Sequence, residues 1–344
     1  MEEVILFYKN IPDQNGFLSI RFAQGLFDSY LRLLKLNYTK MERRSFLRNA
    51  AGTIAAVGLA SSSKAITSVS EFAVATPFKL KYGPHFGMFK NSAGEDLIDQ
   101  LKYMADQGFT AFEDNGMMGR DVALQTKIGE TLSKLNITMG VFVVDKGGNM
   151  ANTFAAGKQE YIEIFLNGCR KAVEVAKRVN AKWMTVVPGG FERNLPIGIQ
   201  NSNVIEALRR GAEILEPHGL VMVLEALSDS PDLYLQTSDQ SYMLCKAVNS
   251  PACKILYDIY HMQKTEGNLI NHINLTWDEI AYFQIGDNPG RKEPTTGEIN
   301  YKNVFKFIHD KGYQGVMGME HGISMAGVEG EKRLIEAYRE VDSF

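Results

Sequence analysis

Eight short apolar runs, separated by helical stretches, limit what this 344-residue chain can fold into. From Lys79 onward they are LKYGPHFGMF (80–89), TAFEDN (110–115), TMGVFVV (138–144), KWMTVVPG (182–189), LVMVLEAL (220–227), KILYDIYH (254–261), EIAYFQIGD (279–287) and GVMGMEHG (315–322). Seven of them are nearly continuous in apolar character and rich in Val, Ile, Phe, Tyr and Met, as strands buried on both faces of a parallel sheet must be. The first, with two glycines and a proline, is the weakest. Between them, Gln159 to Val179 places Ile162, Phe165, Leu166, Cys169, Val173, Ala176 and Val179 on one face at a period near 3.6. Asn203 to Leu215 and Lys302 to His309 show the same pattern. LEPHGL (215–220) reads as a helix end handing over to a strand. Eight strand–helix units in this length predict an α/β fold, a (β/α)8 TIM barrel. A doubly wound open sheet is the alternative, weakened because no Gly-rich phosphate fingerprint follows the first strand.

Composition narrows the partners. The formal net charge is -3 and the chain is 22% charged, with no long basic run in its C-terminal part, so nucleic acid is not expected as a partner. Cys169, Cys245 and Cys253 form neither a disulfide framework nor metal-ligand spacing and are expected as buried free thiols.

The first 75 residues are of another kind. MERRSFLRNAAGTIAAVGLASSSKA, beginning at Met41, carries the pair Arg43-Arg44 followed by Ser45, Phe46, Leu47 and Arg48. It resembles bacterial twin-arginine export signals. The Ala-rich stretch behind it is too short for a stable membrane anchor. Ala73-Val74-Ala75 offers an A-x-A cleavage site, and Ser63-Lys64-Ala65 a weaker one. The expected organisation is a leader over residues 1–75, with Met41 an alternative start, and a barrel domain over 76–344. Export by this route makes the periplasm the expected location, and it carries proteins already folded, which suits a metal loaded in the cytoplasm.

In either fold the site should lie at the C-terminal ends of the strands. The polar residues there are few. Runs one and two contribute His85, Glu113 and Asp114. Later runs contribute Glu225, Asp258 with His261, Gln284 with Asp287, and Glu320 with His321. Glu225, Asp258, Gln284 and Glu320 sit deep in apolar context, where a carboxylate is costly unless paired or bound to a cation. Three carboxylates and an amide oxygen, from four successive strands, make an oxygen-rich cage suited to Mg²⁺ or Mn²⁺. Pairing of each with Arg or Lys is the competing explanation.

These motifs, LEAL, YDIYHMQ, QIGDNPGRKEPTTGEINY and GYQGVMGMEHG, resemble the hydroxypyruvate isomerase branch of the xylose isomerase-like TIM-barrel superfamily. The resemblance runs from about Lys79 to the end. It implies metal ligation by Glu225, Asp258, Gln284 and Glu320, substrate contacts from His261 and Arg291, and acid–base roles for Glu225 and Glu320. His85 is a further candidate for the substrate. The first two runs resemble the family only loosely. The expected reaction is isomerisation of a small hydroxy-carbonyl compound or sugar by proton transfer through an enediolate. A ketose 3-epimerase, a keto-inositol or keto-sugar dehydratase, and a non-catalytic sugar-binding barrel remain alternatives. A barrel of this kind often self-associates, so a homo-oligomer is among the expectations.

Arg291 could bind a substrate carboxylate with two hydrogen bonds, or pair with Glu293 or Glu298. His321, directly after Glu320, is expected to be structural. The loop from Gly286 to Tyr301 holds two prolines and three glycines, and is expected to fix the turns behind Arg291, with Asn300 capping the next helix.

Overall fold

The computed structural model describes residues 75–344. The expected export signal and the alternative start at Met41 lie outside the described residues. All eight expected strands form: β1 (Lys81–Gly83), β2 (Ala111–Phe112), β3 (Thr138–Met139), β4 (Trp183–Val186), β5 (Val221–Glu225), β6 (Cys253–Asp258), β7 (Ile280–Gln284) and β8 (Val316–Gly318). Six pair in the order β1-β8-β7-β6-β5-β4, and β2 pairs with β3, every pairing parallel. Two further parallel bridges, His85 with Glu113 and Val143 with Thr185, join β1 to β2 and β3 to β4 just beyond the short strands. The Glu113 N–H donates to the Pro84 carbonyl at 3.0 Å, and the Thr185 N–H to that of Phe142 at 2.8 Å. Every strand thus has two neighbours in chain order, and the sheet closes on itself as a TIM barrel, not a doubly wound sheet.

The helices are α1 (Lys90–Ala93), α2 (Leu97–Asp106), α3 (Val122–Leu135), α4 (Gln159–Val179), α5 (Ile197–Leu215), α6 (Ser238–Val248), α7 (Ile259–Thr265), α8 (Leu269–Thr276), α9 (Tyr301–Asp310) and α10 (Gly327–Val341). α4 occupies the predicted range, and all seven of its expected apolar positions are buried. α5 begins ahead of the expected Asn203, directly after Pro196, whose fixed φ suits the entry to a helix. Asn136, Asn180 and Asn249 end α3, α4 and α6 in the left-handed conformation, where Asn stands in for the usual Gly. Asn300 caps α9 as expected, accepting from the Asn303 N–H at 3.2 Å. Among the described residues no helix is long and apolar enough to cross a membrane, and the three cysteines are buried and free.

Two cores result. The larger packs helices against the outside of the barrel. The smaller, Ala111, Val141, Val221, Val223, Leu256, Tyr282 and Val316 with Trp183 against it, fills the barrel's interior. Side chains alternate along a strand, so the residue two positions beyond an interior one also faces the barrel axis, one layer nearer the C-terminal mouth. That rule carries Ala111 to Glu113 and Asn115, Trp183 to Thr185, Val223 to Glu225, Leu256 to Asp258, Tyr282 to Gln284, and Val316 to Gly318 and Glu320. An apolar plug below thus supports a polar ring above it.

Candidate active site

The ring encloses a cavity of about 190 Å³ lined by, among others, Asn115, Thr185, Glu225, His261, Arg291 and Glu320. Asp258 and Gln284 are level with each other on β6 and β7. Glu225 pairs instead with Leu256, and Glu320 lies beyond the end of β8. The four expected oxygen donors therefore stand at staggered heights, as strand tilt in a closed barrel requires.

Asp258 has two jobs. Its Oδ1 accepts from the backbone N–H groups of Tyr260 at 2.8 Å and His261 at 3.2 Å, capping α7. Its Oδ2 faces Arg291 Nη2 at 3.2 Å and His261 Nε2 at 3.6 Å. His261 is thus in the first turn of α7, not at the end of an extended run as the sequence suggests. The Asp cap ends the strand three residues earlier. Its side chain is completely buried, and Glu225, Asp258 and His261 form a group whose ligand atoms all lie within 4.8 Å of one another.

The tautomer of His261 follows from its neighbours. The Ser228 N–H donates to Nδ1 at 3.1 Å, and the Ser228 hydroxyl is 2.8 Å from the same nitrogen. Nδ1 must then carry the lone pair, leaving the proton of the neutral ring on Nε2. Burial holds the ring's pKa below its ordinary value, against the pull of Asp258. Nε2 has no hydrogen-bond partner within range. It is a buried donor aimed into the cavity.

Glu320 Oε1 accepts from Asn115 Nδ2 at 2.8 Å, and its Oε2 from Arg291 Nη2 at 2.8 Å. Arg291 Nε also donates to the Glu320 carbonyl at 3.2 Å. The expected alternative pairing of Arg291 with Glu293 or Glu298 does not form. Glu293 is completely buried and accepts from the Ser324 N–H at 2.9 Å, while Glu298 takes a hydrogen bond from Gln263. Arg291 adopts φ 48, and its guanidinium lies 4.9 Å from the centroid of the Tyr260 ring. The loop behind it is organised by Asp287, which accepts from the N–H groups of Gly297 at 2.8 Å and Ile299 at 3.1 Å. A Cβ at Gly297 would stand 2.0 Å from the Asn288 carbonyl, so no side chain fits there.

Glu225 receives no hydrogen bond from any described residue; His261 Nε2 stands 4.0 Å from its Oε1. Burial raises its pKa, and the charges of Glu320 and Asp258 raise it further. Burial also raises that of Glu320, with Asp258 and Glu113 adding to it and Arg291 opposing. Beneath them Glu113 accepts from Tyr282 Oη at 2.8 Å and Gln284 Nε2 at 3.0 Å, and burial pushes its pKa up to about 7. Gln284 Oε1 is buried with no partner.

These observations fit a divalent cation. Glu225, Asp258 and Glu320 crowd together around one guanidinium, which hydrogen-bonds only Asp258 and Glu320, and Gln284 Oε1 is a buried amide oxygen without a partner. The residues that would hold the ion are Glu225, Asp258, Gln284 and Glu320. His261, with its proton on Nε2, is a donor and not a fifth ligand.

The other sequence candidates fall elsewhere. His85 does not line the cavity; its Nδ1 is 2.8 Å from the Phe86 carbonyl and its Nε2 3.4 Å from that of His321. His321 is structural as expected: buried, 2.7 Å from Tyr338 Oη, and held neutral by burial to a pKa of about 3. Asp114 turns outward to Arg120. Asn115 and Ser228 were not singled out in the sequence. Asn115 was findable, because it lies two residues beyond Glu113 on the same face.

A model of the family described as xylose isomerase-like TIM barrel matches residues 101–340. The chain belongs to this family. It is 33% identical over 179 residues to the hydroxypyruvate isomerase of Escherichia coli (strain K12), covering 52% of this chain and 69% of that one. The chain spans 63 to 69% of the length of this relative and of three curated relatives named putative hydroxypyruvate isomerase. It is 28% identical over 232 residues to the 2-oxo-tetronate isomerase of Pectobacterium atrosepticum, covering 65% and 86%. Among solved structures it superimposes on the E. coli 3-keto-D-glucoside 4-epimerase with a TM-score of 0.63, at 18% identity over 76% of this chain and 99% of that one. That last likeness bears on the fold alone.

Proposed function

We propose that the protein is a divalent-metal-dependent isomerase that moves a proton between neighbouring carbons of a small hydroxy-carbonyl compound, of the hydroxypyruvate or 2-oxo-tetronate kind. It is an enzyme of the isomerase class, and the named relatives support that level directly. The observation that carries the finer reading is the pair Glu225 and Glu320. Both carboxylates have raised pKa values and reach one cavity from β5 and from beyond β8, with β6 and β7 between them.

A carboxylate that burial makes more basic is the right base for a weakly acidic carbon-bound proton. One glutamate removes it, and the electron pair left behind forms the carbon–carbon double bond as charge collects on the former carbonyl oxygen. The hydroxyl proton of the first carbon passes to that oxygen, the first carbon becomes the new carbonyl, and the other glutamate protonates the former carbonyl carbon, giving the isomer. The His261 Nε2–H is placed to hydrogen-bond that oxygen as its charge grows. Arg291 is placed to hold a substrate carboxylate, and Asn115 to orient Glu320. A bound Mn²⁺ or Mg²⁺, held by Glu225, Asp258, Gln284 and Glu320, would supply Lewis-acid polarisation of the substrate oxygens.

A second reading is an epimerase or dehydratase acting on a larger keto-sugar. It is favoured by a cleft of about 730 Å³ between the loops after β2 and β3, which shares Asn115, Val143, Asn149 and Val187 with the catalytic cavity. The test is a chain-length panel, from three-carbon keto acids to keto-glycosides, with metal analysis of the isolated protein. About one Mn²⁺ or Mg²⁺ per chain, turnover abolished by chelation, and loss of turnover in Glu225→Gln and in Glu320→Gln are expected. Normal turnover in either variant contradicts the two-glutamate reading. Binding without turnover across the panel would mark a non-catalytic barrel. We also propose export of the barrel by the twin-arginine route, resting on Arg43 and Arg44; N-terminal sequencing of the mature protein tests it.

A further inference from the structure

Under the polar ring lies a chain of hydrogen bonds that no substrate would touch. Tyr282 Oη accepts from the Val141 N–H at 3.3 Å and donates to Glu113 Oε2 at 2.8 Å, and Glu113 Oε1 accepts from Gln284 Nε2 at 3.0 Å. All three side chains are buried. The fold makes room for them with two glycines. A Cβ at Gly140 would lie 2.3 Å from Tyr282 Oη, and one at Gly318 would lie 1.8 Å from Glu113 Oε2. Two flanking strands thus lack a side chain where this chain passes.

We propose that Glu113 is a positioning residue that decides which end of the Gln284 amide faces the metal cavity. The proposal rests on the metal-dependent reading above. Oε2 of Glu113 takes the Tyr282 hydroxyl and Oε1 takes Gln284 Nε2, so the amide turns its NH₂ toward Glu113 and its oxygen away from it. That oxygen is the buried acceptor left without a partner. Without the constraint, an amide flips at little cost, and the flipped form aims two N–H donors at the cation. Both carboxylate arms are used, one for Tyr282 and one for Gln284. A glutamine in place of Glu113 offers only one acceptor arm: if it serves Tyr282, its own NH₂ faces Gln284 and favours the flip.

The experiment is titration with Mn²⁺ of the metal-free full chain, by calorimetry and by the spin-resonance signal of free Mn²⁺, for the wild type and three variants. Glu113→Gln should weaken Mn²⁺ binding about 10- to 100-fold, the range for loss of an outer-sphere partner of a ligand. Gln284→Glu should weaken it comparably, because two carboxylates then face each other where one donor is needed. The double exchange Glu113→Gln with Gln284→Glu rebuilds the pattern with the two groups swapped: the introduced amide accepts from Tyr282 and donates to the introduced carboxylate, whose other oxygen faces the cavity. It should bind at least about tenfold more tightly than Glu113→Gln alone. If Glu113→Gln proves too unstable to titrate, the comparison of the double exchange with Gln284→Glu carries the test. Tight binding in Glu113→Gln, or no gain in the double exchange over the single variants, overturns the positioning role. A wild type that does not bind Mn²⁺ overturns the metal reading, and the proposal with it, and is distinguished by failing before any variant is compared.

Discussion

Arg291 is the one cation among the described residues that touches Asp258 or Glu320 through hydrogen bonds, at 3.2 and 2.8 Å. Replacing it by alanine in metal-free protein leaves three crowded carboxylates uncompensated. A hydrogen bond to a charged group contributes about 1.5–3 kcal/mol. Arg291 and Glu320 are 30% and 27% exposed, so solvent screening pulls the two contacts together down to about 2 kcal/mol. For a body of this size that corresponds to a fall of about 4–8 °C in Tm. With saturating Mn²⁺ the ion supplies the missing positive charge, and the loss should shrink to about 0.6 kcal/mol of packing against Tyr260. The two losses differ by about 1.4 kcal/mol, so linkage demands that Arg291→Ala bind Mn²⁺ about tenfold more tightly than the wild type. Scanning calorimetry with and without Mn²⁺, together with a Mn²⁺ titration, closes the cycle. Equal Tm losses in both conditions, with unchanged Mn²⁺ affinity, would refute the reasoning that guanidinium and ion share one nest of charge.

Replacing His261 by Asn should lower kcat/KM at least about 100-fold while leaving the metal content unchanged, because the ring donates from Nε2; loss of metal by elemental analysis would make it a ligand instead. Gly318→Ala forces a Cβ into the Glu113 carboxylate and should destabilise by about 1–3 kcal/mol, read as a lower urea midpoint. His321 stays neutral in the fold down to about pH 3, while an unfolded histidine charges near pH 6.5. The unfolded state therefore binds the extra proton between those values, and stability is lost as pH falls through that window. The urea midpoint of His321→Gln should accordingly drop less between about pH 7 and about pH 4 than that of the wild type.

Much of this was readable from the sequence. The strands were legible because each is buried on both faces, so seven apolar runs stand out without alternation. Glu225, Asp258, Gln284 and Glu320 were legible because a polar residue in such a run needs an explanation. Boundaries were less so. YDIYH reads as one run, yet Asp258 ends the strand by capping α7, and that choice moves His261 from a strand end into a helix turn. GMEHG likewise leaves the strand at Gly318, and the buried contact of His321 with Tyr338 makes it structural, as expected. His85 was misplaced as a cavity residue because the first run gives no firm register around its Gly and Pro. Asn115 and the orienting Ser228 escaped because their importance depends on neighbours far along the chain, Glu320 and His261.

The central claim is proton transfer by Glu225 and Glu320 at one cavity. Incubation of Mn²⁺-loaded protein in D₂O with hydroxypyruvate, 2-oxo-tetronate and longer ketoses, followed by proton NMR, tests it most directly. The account predicts deuterium at the carbon that receives the returning proton for at least one of these compounds, and its loss in Glu225→Gln and in Glu320→Gln. Conversion with no deuterium entering the product, or undiminished exchange in either variant, would contradict it.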